Sequence, residues 1–150
     1  MELILWRHAE AEDGWPDAAR ALTPKGRKQA EKMAAWLAPR LPPDTRILVS
    51  PALRTQQTVA ALGLDFSTHD ELAPGASEHE VLHTAGWPAE NSSVLIVGHQ
   101  PTLGAVAALL LGQQNVSWSV KKGAVWWISG RTRFGSMTSQ LRAVMSPDLL

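Results

Sequence analysis

Cysteine and tyrosine are both absent from this sequence of 150 residues, and neither sign of charge is in excess. Without cysteine, the chain can have no catalytic thiol, zinc-thiolate site, iron–sulfur cluster or disulfide. The 14 basic side chains cancel the 14 acidic ones, so no overall positive field attracts nucleic acid or an anionic membrane. We therefore expect neither nucleic acid nor membrane as a partner.

Long hydrophobic runs are also missing. No stretch reaches the roughly 18 apolar residues that a membrane span requires. The first residues, Met1–Arg7, lack the basic start and the cleavage site of a signal peptide. Hydrophobic residues still make up 45% of the chain, which is ordinary for a globular protein of this size. We expect a cytoplasmic protein in which residues 1–150 form a single domain, and the sequence leaves its oligomeric state open.

Three short apolar runs predict the centre of the fold, at Leu3–Trp6, Ile47–Val49 and Val94–Val97. Their apolar residues are continuous rather than alternating, which is typical of parallel strands that are covered on both faces. A helical pattern follows each run, from Pro24 to Pro39, from Pro51 to Gly63 and from Pro101 to Gly112. This alternation predicts an α/β fold, a three-layer sandwich with a mostly parallel central sheet and helices on both faces.

The remaining segments are less regular. We expect a short helix over Glu78–His83, inside a looser stretch between Asp65 and Asn91. Near the end of the chain, Ala124–Ile128 and Ser139–Met145 have the character of two strands, which we expect to form a hairpin at the sheet edge.

Polar residues follow each of the three central strands. Arg7 and His8 follow the first, Ser50 and Arg54 follow the second, and His99 follows the third. In a doubly wound sheet, ligands bind at the carboxyl ends of the strands, so these side chains should converge on one crevice. Two arginines, two histidines and the N-termini of the helices suit a dianion, and a phosphoryl group is the natural candidate.

The nucleophile should come from the same group of residues, since no cysteine exists and no carboxylate lies at a strand end. Histidine can form a covalent phospho-intermediate when one ring nitrogen is unprotonated. Spacing alone does not decide between His8 and His99.

Two other groups of residues favour a simple surface role. His79 and His83 are separated by one helical turn, but no third metal ligand is evident, so we interpret them as an exposed helix face. A basic cluster early in the first helix is most simply solvated, although it could dock an acidic partner; it comprises Lys25, Arg27, Lys28 and Lys32.

Four blocks of the sequence stand out together, and they are Arg7-His8-Ala9, Leu22–Ala30, Ser50–Thr58 and Gly98-His99-Gln100-Pro101. In their order and spacing, over nearly the whole chain, they resemble the histidine phosphatase superfamily, which contains the phosphoglycerate mutases. The short length, the segment Glu71–Pro74 and the closing Met145-Ser146-Pro147 are similar to its small SixA-type branch, the phosphohistidine phosphatases.

The resemblance implies a phosphoglycerate mutase-like fold and a phosphatase that uses no metal or organic cofactor. It implies that His8 is the nucleophile and that Arg7, Arg54 and His99 hold the phosphoryl oxygens. The implied substrate is a phosphohistidine on a protein. There are two alternatives: a small-molecule phosphomonoesterase of the same superfamily, and a non-catalytic module that binds phosphate or a phosphoprotein.

The chain departs from the family pattern at several positions. Ala9 replaces the usual glycine, and its added methyl should be tolerated. Ala11 and Gly14 stand where larger members have threonine and asparagine, so one phosphate contact is missing. Pro74 falls where the family's general acid is expected, and Glu10, Glu12 and Glu71 do not match that position. A missing acid suits the P–N bond of phosphohistidine, because imidazole leaves more readily than an alkoxide.

Overall fold

Six strands form one sheet in the computed structural model, which describes residues 1–150. The strands are β1 (Glu2–Arg7), β2 (Arg46–Val49), β3 (Ser67–Thr68), β4 (Ser93–Gly98), β5 (Val125–Arg133) and β6 (Ser136–Met145). Their order is β3-β2-β4-β1-β5-β6; the first four in this order are parallel, and β5 and β6 are antiparallel to their neighbours. The predicted α/β class with a mostly parallel sheet is confirmed.

Four helices cover the two faces of the sheet. They are α1 (Pro24–Leu37), α2 (Leu53–Ala60), α3 (Glu78–Ala85) and α4 (Thr102–Leu110). Residues of α1 and α2 pack on one face in a cluster with Ile4, Leu95 and Val97, and residues of α3 and α4 pack on the other with Leu3 and Ile96. Successive residues of β1 and β4 therefore enter opposite apolar layers, which explains why their apolar residues are continuous.

The helix starts agree with the sequence signals in two cases and differ slightly in two. The side-chain oxygen of Thr23 accepts a hydrogen bond from the Gly26 N–H at 2.9 Å, so α1 begins at Pro24 as expected. The α3 helix begins after a capping box. Pro51 and Pro101 precede α2 and α4 instead of belonging to them, and each proline lies in the turn between a strand and its helix.

The end of the chain forms the predicted hairpin. β5 pairs with the central strand β1, whereas β6 forms the edge of the sheet and is largely exposed. The opposite edge is β3, a strand of two residues that is too short to leave a pattern in the sequence. None of the helices combines the length and apolar character that a membrane span requires.

Candidate active site

The hydrogen-bond ladder of the sheet continues past the ends of its central strands. The backbone N–H of His8 donates to the Gly98 carbonyl at 3.1 Å, and the N–H of Ser50 donates to the Val97 carbonyl at 3.1 Å. β2, β4 and β1 are adjacent in the sheet, so the residues that follow them are held side by side. The His8 and His99 rings lie with their centroids 5.4 Å apart.

The first turn of α2 adds Arg54 to the two histidines. The N–H of Ala9 donates to the Thr58 hydroxyl of α2 at 3.1 Å, which fixes this helix against the loop after β1. Arg54 is only 4% exposed. Arg7 precedes His8 and is paired in the sheet with Gly98, the residue before His99. Because it lies this close, its charge, like that of Arg54, lowers the pKa of both histidines. The structure thus brings all four predicted site residues together.

The loop that carries His8 is held closely by α1. The carbonyl of Glu10 accepts the N–H of Thr23 at 3.0 Å, and a Cβ at Gly26 would overlap that same carbonyl oxygen. Only glycine allows α1 to approach this loop so closely. Ala9 is fully buried in a small apolar cluster, so its methyl group is accommodated.

The His8 ring is neutral and has a defined tautomer. Burial lowers its pKa to about 4; the hydrogen bond to the Ala9 carbonyl opposes this shift, and the charges of Arg54 and Arg7 reinforce it. Nδ1 lies 2.7 Å from the Ala9 carbonyl oxygen, which can only accept, so Nδ1 carries the ring proton. The lone pair is therefore on Nε2, where a nucleophile requires it.

His99 is also neutral and is held by Ser50. Burial, followed by the charge of Arg54, lowers the pKa of His99 to about 3. Its Nε2 lies 2.7 Å from the Ser50 hydroxyl, which in turn accepts the Ala52 N–H at 3.3 Å. The hydroxyl proton is thus available to Nε2, and we assign the His99 ring proton to Nδ1.

Three of the four buried side-chain nitrogen atoms that lack a hydrogen-bond partner belong to this group. They are Arg7 Nε, Arg54 Nε and His99 Nδ1. Buried polar atoms are normally paired, and an unpaired one costs about 1–3 kcal/mol. A group with several acceptor oxygens, such as a phosphoryl group, would satisfy such donors.

Sequence reasoning missed Asp17 and Arg20. Arg54 donates through Nη1 to the backbone oxygen of Asp17 at 3.0 Å and through Nη2 to its carboxylate at 3.1 Å. Arg20 forms a second ion pair with that carboxylate at 3.0 Å. Burial alone would raise the pKa of Asp17, but the hydrogen bonds and charges of the two arginines outweigh it and lower the pKa. The spacing of three residues between Asp17 and Arg20 was the available signal, but it is common on surfaces.

Other candidate residues lie outside this group. Glu71 and Pro74 are exposed, and Glu71 makes no hydrogen bond or ion pair with the site. His79 and His83 lie on the exposed side of α3, as expected, and the chain contains no cluster of three or more histidine or acidic residues arranged to hold a metal ion.

The chain is similar to known proteins in both sequence and fold. Residues 3–88 match the family model of the histidine phosphatase superfamily, branch 1. A phosphohistidine phosphatase SixA homolog of Haemophilus influenzae is 35% identical over 77% of this chain and 80% of its own, and Escherichia coli SixA is 30% identical over 73% and 74%. A solved structure of the protein histidine phosphatase SixA with tungstate is 26% identical, covers 99% of both chains and has a TM-score of 0.77.

The matched residues include Arg7, His8 and Arg54, and the similarity of fold extends over nearly the whole chain. The chain therefore belongs to the histidine phosphatase superfamily and is a phosphatase of this kind with a phosphoglycerate mutase-like fold.

Proposed function

We propose that this protein, as a single domain, hydrolyses phosphohistidine on another protein through a covalent phosphohistidine intermediate on His8. The observation that carries the proposal is the state of His8, a neutral ring whose proton is fixed on Nδ1 and whose Nε2 is free. Around it, Arg7, Arg54 and His99 present buried donors that have no partner within the protein. SixA relatives named as phosphohistidine phosphatases support the choice of substrate.

The reaction takes place in two steps. In the first, His8 Nε2 forms a bond to phosphorus while the P–N bond to the substrate imidazole breaks. The electron pair of that bond stays on the substrate ring nitrogen, and the ring takes up one proton from solvent, so that it leaves as neutral imidazole. In the second, a water oxygen attacks phosphorus while the bond to His8 Nε2 breaks; the electron pair returns to Nε2, and the water protons go to the released phosphate and to solvent. Arg7, Arg54 and His99 stabilise the charge on the equatorial oxygens in both steps.

The state of the carboxylate at the site supports phosphohistidine as the proposed substrate. An alkyl phosphate ester requires a general acid, a contribution of roughly 10²–10⁴-fold. Asp17 contacts Arg54, but its pKa is lowered, so it remains a carboxylate at neutral pH and is a poor proton donor. Pro74, at the family's expected acid position, has no proton to donate. A leaving imidazole can take its proton from solvent, so the P–N bond does not require an acid.

The test compares a chemically phosphorylated phosphohistidine domain with a panel of sugar phosphates, in the presence of chelator. We expect the phosphohistidine domain to be hydrolysed far faster, and mass spectrometry after rapid quenching to detect phosphate on His8. A His8→Ala variant should lose turnover and retain part of its phosphate affinity. Faster hydrolysis of sugar phosphates would instead indicate a small-molecule phosphomonoesterase, and binding without phosphorylation of His8 would indicate a binding module.

A further inference from the structure

All five lysines of this chain line a single cleft. Lys25, Lys28 and Lys32 come from α1, whereas Lys121 and Lys122 come from the segment that precedes β5. The cleft has a volume of about 670 Å³. Lysines distributed at random would lie on several faces of the protein, so the convergence of all five on one cleft requires a physical interpretation.

Few of these positive charges are neutralised within the protein. The cleft contains six cationic side chains, counting Arg7, against the two carboxylates of Glu10 and Asp148, which leaves an excess of four in a chain that is neutral overall. Asp148 pairs with Lys121 at 3.4 Å, and Glu10 accepts a hydrogen bond from the Thr23 hydroxyl at 2.8 Å. Lys25, Lys28 and Lys122 form no ion pair. We refer to this region as the lysine cleft.

The lysine cleft is continuous with the phosphoryl site through Arg7. This side chain lines the cleft, and its charge also lowers the pKa of His8 and His99. Its Nη1 donates to the Val120 carbonyl at 2.8 Å, directly before the two lysines of the second segment. A molecule whose phosphate occupies the site can therefore extend into the cleft.

The shape and chemistry of the cleft favour a macromolecular occupant. Lys25, Lys28 and Lys32 form a row along one side of α1 that is about 10 Å long. No hydrophobic side chain lines the cleft, and five of its six positive charges lie on flexible lysine stems rather than on the rigid fork of an arginine. Such a surface attracts distributed negative charge but does not define the outline of a small ligand.

We propose that the lysine cleft docks an acidic face of the phosphoprotein substrate, next to its phosphohistidine. This inference rests on the proposed function and specifies the chemistry of its partner. Complementary charge raises the rate of encounter and orients the substrate, so the docking contributes to binding rather than to the chemical step.

The experiment uses two synthetic phosphohistidine peptides of equal length. One has four glutamates beginning a few residues from the phosphohistidine, and the other has four glutamines there. At low ionic strength we expect kcat/KM to be about tenfold higher for the glutamate peptide, with the difference in KM rather than in kcat. The ratio of kcat/KM for the glutamate peptide to kcat/KM for the glutamine peptide should approach one near 1 M salt, where the screening length is about 3 Å.

Two variants of equal charge locate the effect. In Lys25→Gln/Lys28→Gln/Lys32→Gln the ratio should fall close to one, while hydrolysis of phosphoramidate, which is too small to reach the cleft, stays within about twofold of wild type. The control Arg27→Gln/Arg131→Gln/Arg133→Gln removes three exposed charges outside the cleft and should keep the ratio.

The outcomes separate this inference from the proposed function. Equal kcat/KM values for both peptides with wild type, or an unchanged ratio in the lysine variant, would overturn docking in the cleft. If neither peptide is hydrolysed, the proposed function fails. The affinities of the unphosphorylated peptides, measured by calorimetry, then test docking alone. We expect wild type to bind the glutamate peptide more tightly than the glutamine peptide, and the lysine variant to bind both equally. Inorganic tripolyphosphate that binds one-to-one and more tightly than the glutamate peptide would indicate a small-ligand site and overturn the proposal.

Discussion

Replacing Ser50 with alanine removes the hydrogen bond that orients His99. The hydroxyl of Ser50 lies 2.7 Å from His99 Nε2, and the two residues are 0% and 4% exposed. After the change, Nε2 is a buried acceptor without a partner, which costs about 1–3 kcal/mol of stability. The ring can then rotate, and Nδ1 no longer points reliably at the phosphoryl oxygens.

The expected effect on catalysis follows from the role of His99 as a donor. Deleting one donor to a charged transition state costs about 10²–10³-fold in kcat. Ser50→Ala retains the donor and removes only its support, so we expect a loss of about 10- to 100-fold. Burial and the charge of Arg54 set the pKa of His99 at about 3; with the Nε2 lone pair released by Ser50 and free to bind a proton, that pKa should rise, which an NMR titration of the ring measures.

The matched control is Thr55→Val, which loses a buried hydroxyl of the same turn. Thr55 is 0% exposed and donates to the carbonyls of Ser50 and Ala52, but it does not contact His99. Both variants should lose comparable stability in urea denaturation, and only Ser50→Ala should lose kcat and raise the pKa of His99. An equal loss of kcat in both variants, or none in Ser50→Ala, would refute the positioning role.

Three further predictions concern pH, anion affinity and packing. His8 and His99 have pKa values of about 4 and 3 in the folded state and about 6.5 in the unfolded state, so the unfolded state binds more protons below pH 6.5. The free energy of unfolding should therefore fall by on the order of 3 kcal/mol between pH 6.5 and pH 5. A denaturation midpoint that does not change over this pH range would contradict the prediction. Asp17→Asn removes the carboxylate that competes for Arg54, so calorimetry should show phosphate binding about two- to fivefold tighter, whereas weaker binding would mean that Asp17 mainly positions the arginine. Gly26→Ala should lower the thermal midpoint markedly, since its Cβ would overlap a backbone carbonyl, and a wild-type midpoint would show that α1 can shift without cost.

Much of the fold was readable from local patterns. The apolar runs at β1, β2 and β4, the Thr23-Pro24 start of α1 and the late hairpin all depend on short-range periodicity and backbone preference, which sequence records directly. The same reasoning placed three of the site residues at strand ends and Arg54 shortly after one, and it brought them together because the carboxyl ends of parallel strands meet at one edge. The roles of those residues remain a proposal.

Other features depend on contacts between distant parts of the chain and leave no local pattern. The Asp17–Arg54 ion pair joins residues 37 positions apart, and Ser50 bonds to His99 across 49 positions. The neutrality of both histidines also arises in the folded state, since burial and the nearby arginines lower their pKa values together. The sequence by itself determined which residues end the strands and what chemistry they offer. Tertiary structure decided their protonation, their partners and the gathering of every lysine beside Arg7, because these depend on distance in space rather than along the chain.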